Sequence, residues 1–361
     1  MRKIGSFIWG MIIFLLSPIS FLYQIIFKLN QSRKDPKPLH NCLVISVGNL
    51  SVGGTGKTPF VQYLVHLLKT RYPKYHISIL SRGYGAKASS EGKLVAVDDD
   101  PMVVGDEPLL HKQRFPWVQV LIGKHRYRVF QNLNKHLDPH HFVLLDDGFQ
   151  HKAIVRNLDI VLLDSNAPLS NGYTIPLGKL REPVSSLQRA DTLVFTKLNS
   201  INERLVNLLI PKLKAQFPSL PILYASSLYS YKRVLGDQDE FTTGVLICGV
   251  GNPESVFYGA KSLFPTSHIQ TIYFPDHAHY EYEDLKKISE NHSSYIPYLC
   301  TTKDWVKWSK KSAWMQHLKE TNRTVFVLDY KVVLRDESTL VMQIDDLVSR
   351  HESKISLEET P

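Results

Sequence analysis

Apolar runs of four to seven residues recur along the chain, most of them bounded by Gly, Pro, Asp or Asn. Leu43–Val47, Ile77–Leu80, Lys93–Val97, Val118–Ile122, Phe142–Leu145, Asp159–Leu163 and Thr192–Thr196 read as strands. The helical spacings of Phe60–Lys69, Pro108–Phe115, Lys124–Lys135 and Glu203–Phe217 fall between several of them. Such alternation predicts an α/β fold with a mostly parallel sheet, helices on both faces and the working site at the carboxyl ends of the strands. A polar stretch from Ser230 to Thr243 interrupts the pattern. A second, smaller α/β series follows, with strands at Gly244–Val250, Ile269–Phe274, Tyr295–Thr301 and Thr324–Leu328. The expected division is an amino-terminal segment (1–38), a first domain (39–225), a linker (226–243), a second domain (244–350) and a polar, disordered tail (351–361).

The amino terminus departs from this pattern. Phe7 to Phe27 is almost wholly apolar, and a straight helix of that length would reach roughly 31 Å, enough to span a bilayer. Pro18 in its middle would kink or divide such a helix, and Arg2, Lys3, Lys28, Arg33, Lys34 and Lys37 flank it. That arrangement suits a membrane-associated helix lying at the cytoplasmic face of the inner membrane with its cations at anionic headgroups, whether in-plane or as a single anchor. A secretory signal fits less well, since no small-residue cleavage site follows Phe27.

Composition narrows the partners. Lys and Arg outnumber Asp and Glu by 43 to 34, which favours polyanions. No recognition-helix, RRM-like or zinc-finger pattern occurs, so nucleic acid is not expected. Cys42, Cys248 and Cys300 sit in or beside apolar runs without a C-x-x-C pair and read as reduced core thiols.

The chemistry begins at Ser51-Val52-Gly53-Gly54-Thr55-Gly56-Lys57-Thr58, between the run Leu43–Val47 and the helical stretch from Phe60. Strand, glycine loop and helix in this order form a P-loop, as in the NTPase folds. Its backbone N–H groups cradle phosphate oxygens, Lys57 reaches the β/γ-phosphates and Thr58 can ligate Mg²⁺. Ser51 stands where that pattern usually has its first glycine. Downstream, Phe142–Leu145 ends in Asp146-Asp147-Gly148, where such a protein keeps an acid for Mg²⁺ or its water shell. Asp106-Glu107 before Pro108 reads on its own as a helix cap. Asp98-Asp99-Asp100 reads as a solvated turn, and His136, His140 and His141 as loop decoration. Thr196-Lys197-Leu198-Asn199 is faintly similar to the guanine-reading N/T-K-x-D signal, but Asn199 replaces its acid, which favours ATP over GTP.

Seven motifs in order extend these readings: Gly48–Pro59, Ser81-Arg-Gly-Tyr-Gly85, Val104-Gly-Asp-Glu-Pro108, Asp146-Asp-Gly-Phe-Gln-His151, Pro176-Leu-Gly-Lys-Leu-Arg-Glu-Pro183, Gly249-Val-Gly-Asn-Pro253 and Asp276-His-Ala-His279. Together they resemble the tetraacyldisaccharide 4'-kinase family over nearly the full chain, to about Leu328. The resemblance implies an ATP- and Mg²⁺-dependent, membrane-associated enzyme of lipid A biosynthesis, whose substrate is an acylated disaccharide 1-phosphate lipid phosphorylated on its 4'-hydroxyl. It further implies that Asp106 and His277 form a dyad that deprotonates this hydroxyl. With Asp106 assigned to the first domain and His277 to the second, the dyad would meet across the interdomain cleft. The family often reads Asp-His-His where Ala278 stands here, so His277 is the expected partner with His279 the alternative. Thr58, Glu107 and Gln150 are the implied metal or metal-water ligands, with Asp146 and Asp147 beside them. Arg181 is implied to hold phosphate, or else pairs with Glu182 at the surface. The rival from another class is a membrane-recruited P-loop nucleotide switch or targeting GTPase, which shares the glycine loop, the strand-end acids and the basic surface.

Overall fold

The structure, a computed structural model, describes residues 16–29, 35–134 and 138–358. Its contacts group into two compact units, one of residues 1–81, 130–226 and 332–361, the other of residues 82–129 and 227–331.

The first unit is built on parallel strands. β1 (Leu43–Asn49) lies between β5 (His141–Asp146) and β6 (Leu158–Asp164); β2 (His76–Ser81) pairs beyond β5, and β7 (Thr192–Thr196) then β8 (Ile222–Leu235) beyond β6. β1 and β7 are buried throughout, as expected for strands covered on both faces, which is why they read as continuous apolar runs. Helices α2 (Lys57–Arg71), α6 (Glu203–Gln216) and α11 (Ser338–Glu358) belong to the same unit. The register sets Val47 beside Asp146, Asn49 beside Leu162 and Asp164 beside Thr196, so four strands deliver their following loops at one end of the sheet. Leu50, Phe149, Leu163, Leu180, Phe195 and Val206 pack into a core directly under that end.

The second unit has its own parallel set in the order β10 (His268–Tyr273), β9 (Thr243–Cys248), β11 (Tyr298–Thr301) and β12 (Val325–Leu334). Helices α7 (Pro253–Leu263), α8 (Tyr282–Glu290), α9 (Thr302–Trp308) and α10 (Ser312–Glu320) connect them. Trp308, Trp314, Tyr280 and Tyr298 fill one face, and Phe326, Leu246 and Leu299 the other. The segment from Arg82 contributes the antiparallel pair β3 (Lys93–Leu94) and β4 (Gln119–Ile122), with the short α3 (Pro101–Val104), α4 (Asp106–Arg114) and the first turn of α5 (Arg126–Leu133).

Several expectations are corrected. Residues 82–129 group with the second unit and not with the glycine loop, although their strand and helix pattern continues that of the first domain without a break. The expected linker from 226 is strand as far as Leu235: exposed and part-buried positions alternate from Ser226 to Ser230, and the Tyr231 ring packs tilted against Phe264 and edge-on to Phe326. The expected disordered tail is helical through Glu358, since Leu340, Ile344 and Val348 recur at helical spacing on a buried face. His141 opens β5, fully buried, with its Nε2 2.8 Å from the Ser78 hydroxyl, whereas the sequence placed it in a loop. His136 lies outside the described residues.

At the amino terminus, α1 covers 16–29 among the described residues, and residues 1–15, with the first part of the apolar segment Phe7–Phe27, lie outside them. No described helix is long and apolar enough to cross a membrane. α1 turns its polar side inward: Ser20 and Gln24 bond to Thr174, and the Tyr23 hydroxyl donates to the Arg181 carbonyl at 3.1 Å. Ile19, Phe21, Leu22, Ile25, Ile26 and Leu29 are left exposed.

Candidate active site

In the first unit the loop between β1 and α2 is shaped by residues that tolerate its backbone. Gly53 and Gly56 take positive φ (120° and 84°), and a Cβ at Gly53 or Gly54 would meet nothing within 4 Å, leaving an open cradle lined by backbone. Gly48 is required for a different reason: a Cβ there would lie 2.4 Å from that of Phe149, so β1 and the turn after β5 can approach only without one. Buried Asn49 braces the loop from within, donating to the Ser51 carbonyl at 2.7 Å and to the Thr55 hydroxyl at 2.9 Å.

Lys57 and Thr58 open α2, where the helix dipole and unpaired N–H groups favour an anion. Lys57 Nζ lies 3.5 Å from Asp147, and Arg181 grips the same carboxylate with one nitrogen at 2.8 and 3.0 Å. Two cations thus converge on the acid that follows β5. Arg181 therefore does not pair with Glu182: that carboxylate is buried against Arg189 at 2.9 Å, which in turn lies over the Phe149 ring. Gln150 donates to the Asn49 carbonyl at 2.9 Å and accepts from Arg181 at 3.4 Å, so it bridges the acid turn and the glycine loop. Asp146 is buried beside Asp147. Asn199 turns its side-chain oxygen onto the N–H groups of Ile201 and Asn202, capping its own turn.

In the second unit Asp106 opens α4, and His277 Nδ1 lies 3.1 Å from its Oδ2 across 171 residues of chain. The two residues share one unit, so the expected meeting of the dyad across an interdomain cleft is corrected. His277 holds a left-handed backbone (φ 61°), while His279 is exposed. Their loop is anchored by fully buried Asp304, which accepts from the Gly249 N–H at 3.0 Å and from the Tyr280 and Thr301 hydroxyls, and also completes the capping box of α9.

Sequence reasoning missed two residues of α9. Lys307 Nζ lies 3.2 Å and Lys303 Nζ 3.7 Å from Asp106 Oδ2, and Lys303 also reaches Glu107 (3.4 Å) and Asp276 (3.3 Å). Their four-residue spacing, which sets both on one helix face, was the available signal. Burial pushes the Asp106 carboxyl up, but His277, Lys303 and Lys307 outweigh it and hold the group well below the ordinary carboxylate range. The hydrogen bond to Asp106 raises His277 above the usual imidazole value. For Lys303, burial favours the neutral amine, and the three neighbouring carboxylates reverse that preference.

The chain is similar to known proteins over most of its length. The family model described as tetraacyldisaccharide-1-P 4'-kinase matches residues 12–349. The tetraacyldisaccharide 4'-kinase of Leptospira biflexa is 42% identical, over 94% of this chain and 96% of its own. That of Porphyromonas gingivalis is 32% identical over 84% and 89%. A crystal structure of LpxK from Aquifex aeolicus, described as an "apo" form in complex with ATP, superposes with a TM-score of 0.67 at 29% identity, covering 92% of this chain and 98% of that one. With the family model spanning most of its length, this chain belongs to the tetraacyldisaccharide 4'-kinase family.

Proposed function

We propose that the protein transfers the γ-phosphate of ATP to the 4'-hydroxyl of an acylated disaccharide 1-phosphate, the kinase step of lipid A biosynthesis. The observation that carries the phosphate chemistry is the pairing of Lys57 and Arg181 on Asp147 beside an open glycine cradle. A triphosphate entering the P-loop meets backbone N–H groups, the α2 amino terminus and Lys57, all placed before the reaction begins. The rival reading, a GTPase switch, needs an acid at position 199 to read guanine, and Asn199 is committed to its own backbone.

The donor set also suits Mg²⁺. Magnesium keeps several waters and takes one or two protein oxygens beside phosphate. Thr58 with Asp146 or Asp147 meets that need without a cage, and no cluster of three or more His, Cys, Asp or Glu fit for a metal occurs among the described residues. Gln150, which bridges the acid turn and the glycine loop, is a further oxygen donor for the ion or its waters, whereas Glu107 belongs to the other unit, where it pairs with Lys303. When bound with ATP, the ion would neutralise charge on the phosphates.

Asp106 and His277 act on the acceptor. A carboxylate held so low is a weak base, yet a loose phosphoryl transfer asks little of its base, because the hydroxyl becomes acidic only as its bond to phosphorus forms. His277 then orients Asp106 and stabilises its charge. A second reading makes His277 Nε2 the proton acceptor and Asp106 its orienting partner. It is favoured by the burial of Asp106, 6% exposed, and by the crowding of its Oδ2 by two lysines.

The exposed apolar side of α1 supports docking on the inner face of the membrane, with the polar side held by Thr174 and Arg181. Deleting residues 1–28 should shift the protein to the soluble fraction and raise KM for lipid; an unchanged distribution would remove the membrane proposal. For the activity, purified protein with Mg²⁺-ATP should convert the monophosphorylated disaccharide lipid to the bisphosphorylated form. Folded protein that leaves the lipid unchanged would overturn it.

A further inference from the structure

The glycine loop cannot hold its own shape, because Gly53, Gly54 and Gly56 lose more conformational freedom on ordering than other residues do. Besides Asn49, two side chains from the carboxyl end of β7 reach it. Thr196 Oγ1 donates to the Thr55 carbonyl at 2.8 Å, and Lys197 Nζ donates to the Gly54 carbonyl. In a trans peptide the N–H points opposite to its carbonyl, so holding the Thr55 carbonyl toward β7 aims the Gly56 N–H away from it, just before Lys57.

Lys197 is costly to keep in this role. Its side chain is 11% exposed, its ammonium is shared with Asp164 at 2.6 Å, and its backbone is left-handed (φ 57°). Non-glycine residues adopt that conformation at a penalty unless their surroundings compel it. Here Asn202 compels it, donating to the Lys197 carbonyl at 3.0 Å and to Asn166 at 3.1 Å. Lysine is the side chain long enough to cross from β7 to the loop while giving protons to both a carboxylate and a carbonyl.

We infer that Lys197, seconded by Thr196, is a positioning residue for the nucleotide: it tethers the glycine loop in its phosphate-binding form and so sets ATP affinity without touching the base. The inference rests on the reading of residues 51–58 as the ATP loop. It also gives Thr196-Lys197-Leu198-Asn199 a role that does not involve reading a purine.

The test uses the full chain in detergent with two probes, ATP and inorganic tripolyphosphate. Lys197→Met should weaken both by the same factor, roughly tenfold or more, as expected for a lost charge-assisted hydrogen bond. KM for lipid should not change, and Lys197→Arg should recover only part of the loss. Because Lys197→Met strands Asp164, the Lys197→Met/Asp164→Asn double variant serves as control: it should recover thermal stability but not ATP affinity. Recovery of affinity in the double variant would reduce Lys197 to a structural ion pair and overturn the inference. Weakened binding of ATP with unchanged tripolyphosphate would overturn it too, by showing direct contact with the nucleoside. Loss of activity with intact affinity for both probes would overturn it as well, by placing Lys197 in turnover and not in binding, whereas unaltered protein that binds neither probe would mark failure of the kinase reading itself.

Discussion

If Asp106 and His277 work as one device, removing either should cost nearly as much as removing both. The informative perturbation is Asp106→Asn, which keeps the shape of the side chain and discards its charge. Breaking a buried ion pair commonly costs about 3–5 kcal/mol because a charge is left without its partner. Here the loss should fall at or below the low end of that range: Lys303 keeps Glu107 and Asp276 at 3.4 and 3.3 Å, and Lys307 keeps the Ala278 carbonyl at 3.1 Å. The fold should therefore survive, and kcat can be read. Loss of a positioned base lowers kcat by about 10²–10⁴, equivalent to roughly 3–5 kcal/mol of barrier. His277→Ala should lose a comparable factor, and the double variant little more than Asp106→Asn alone, since members of one unit are not additive. The assay is kcat at saturating ATP and lipid, with ATP binding measured separately and expected to hold. A double variant whose loss is the product of the two single losses would refute the shared role. His277→Asn, which can keep an amide donor toward Asp106, separates the two readings of the base: a modest loss leaves Asp106 as base, and a full loss transfers that role to Nε2.

Three further outcomes follow from the same geometry. Lys57→Ala should lower kcat by roughly a thousandfold while the protein stays folded, and near-normal turnover would remove the nucleotide loop from the chemistry. The ring of His277, followed by NMR, should titrate above its ordinary value of about 6.5 and fall back toward it in Asp106→Asn; the stability it contributes is fully present below that ordinary value and lost as pH rises through the raised one, so an unshifted titration would contradict the 3.1 Å bond. Buried Asp159, pushed up to about 6 by burial despite Arg156 at 3.0 Å, should cost stability as pH rises through that value, on the order of 2 kcal/mol relative to Asp159→Asn. Urea midpoints of the two proteins that stay parallel from pH 4.5 to 7.5 would rule this out.

Local pattern was enough to predict most elements of both parallel sheets, because a buried strand must be apolar along its length and a phosphate loop must be glycine-rich wherever it sits. Thr192–Thr196 and the cradle between β1 and α2 were legible for that reason. The dyad was legible only through resemblance, since nothing near Asp106 in the chain calls for an imidazole 171 residues away. Burial, unlike spacing, depends on what packs from elsewhere. The polar tail from 351, expected to be disordered, became the end of a helix whose covered face carries Leu340, Ile344 and Val348, and His141 became core. Grouping residues 82–129 with 227–331 likewise required contacts that no short-range signal encodes. Charge pairing shows the limit most clearly. Lys303 and Lys307 are ordinary surface residues by composition, and Arg181 next to Glu182 is an obvious pair by proximity. Tertiary structure alone sent the two lysines to Asp106 and Arg181 to Asp147, because charges pair with whatever the fold brings within a few ångströms, whatever their separation along the chain.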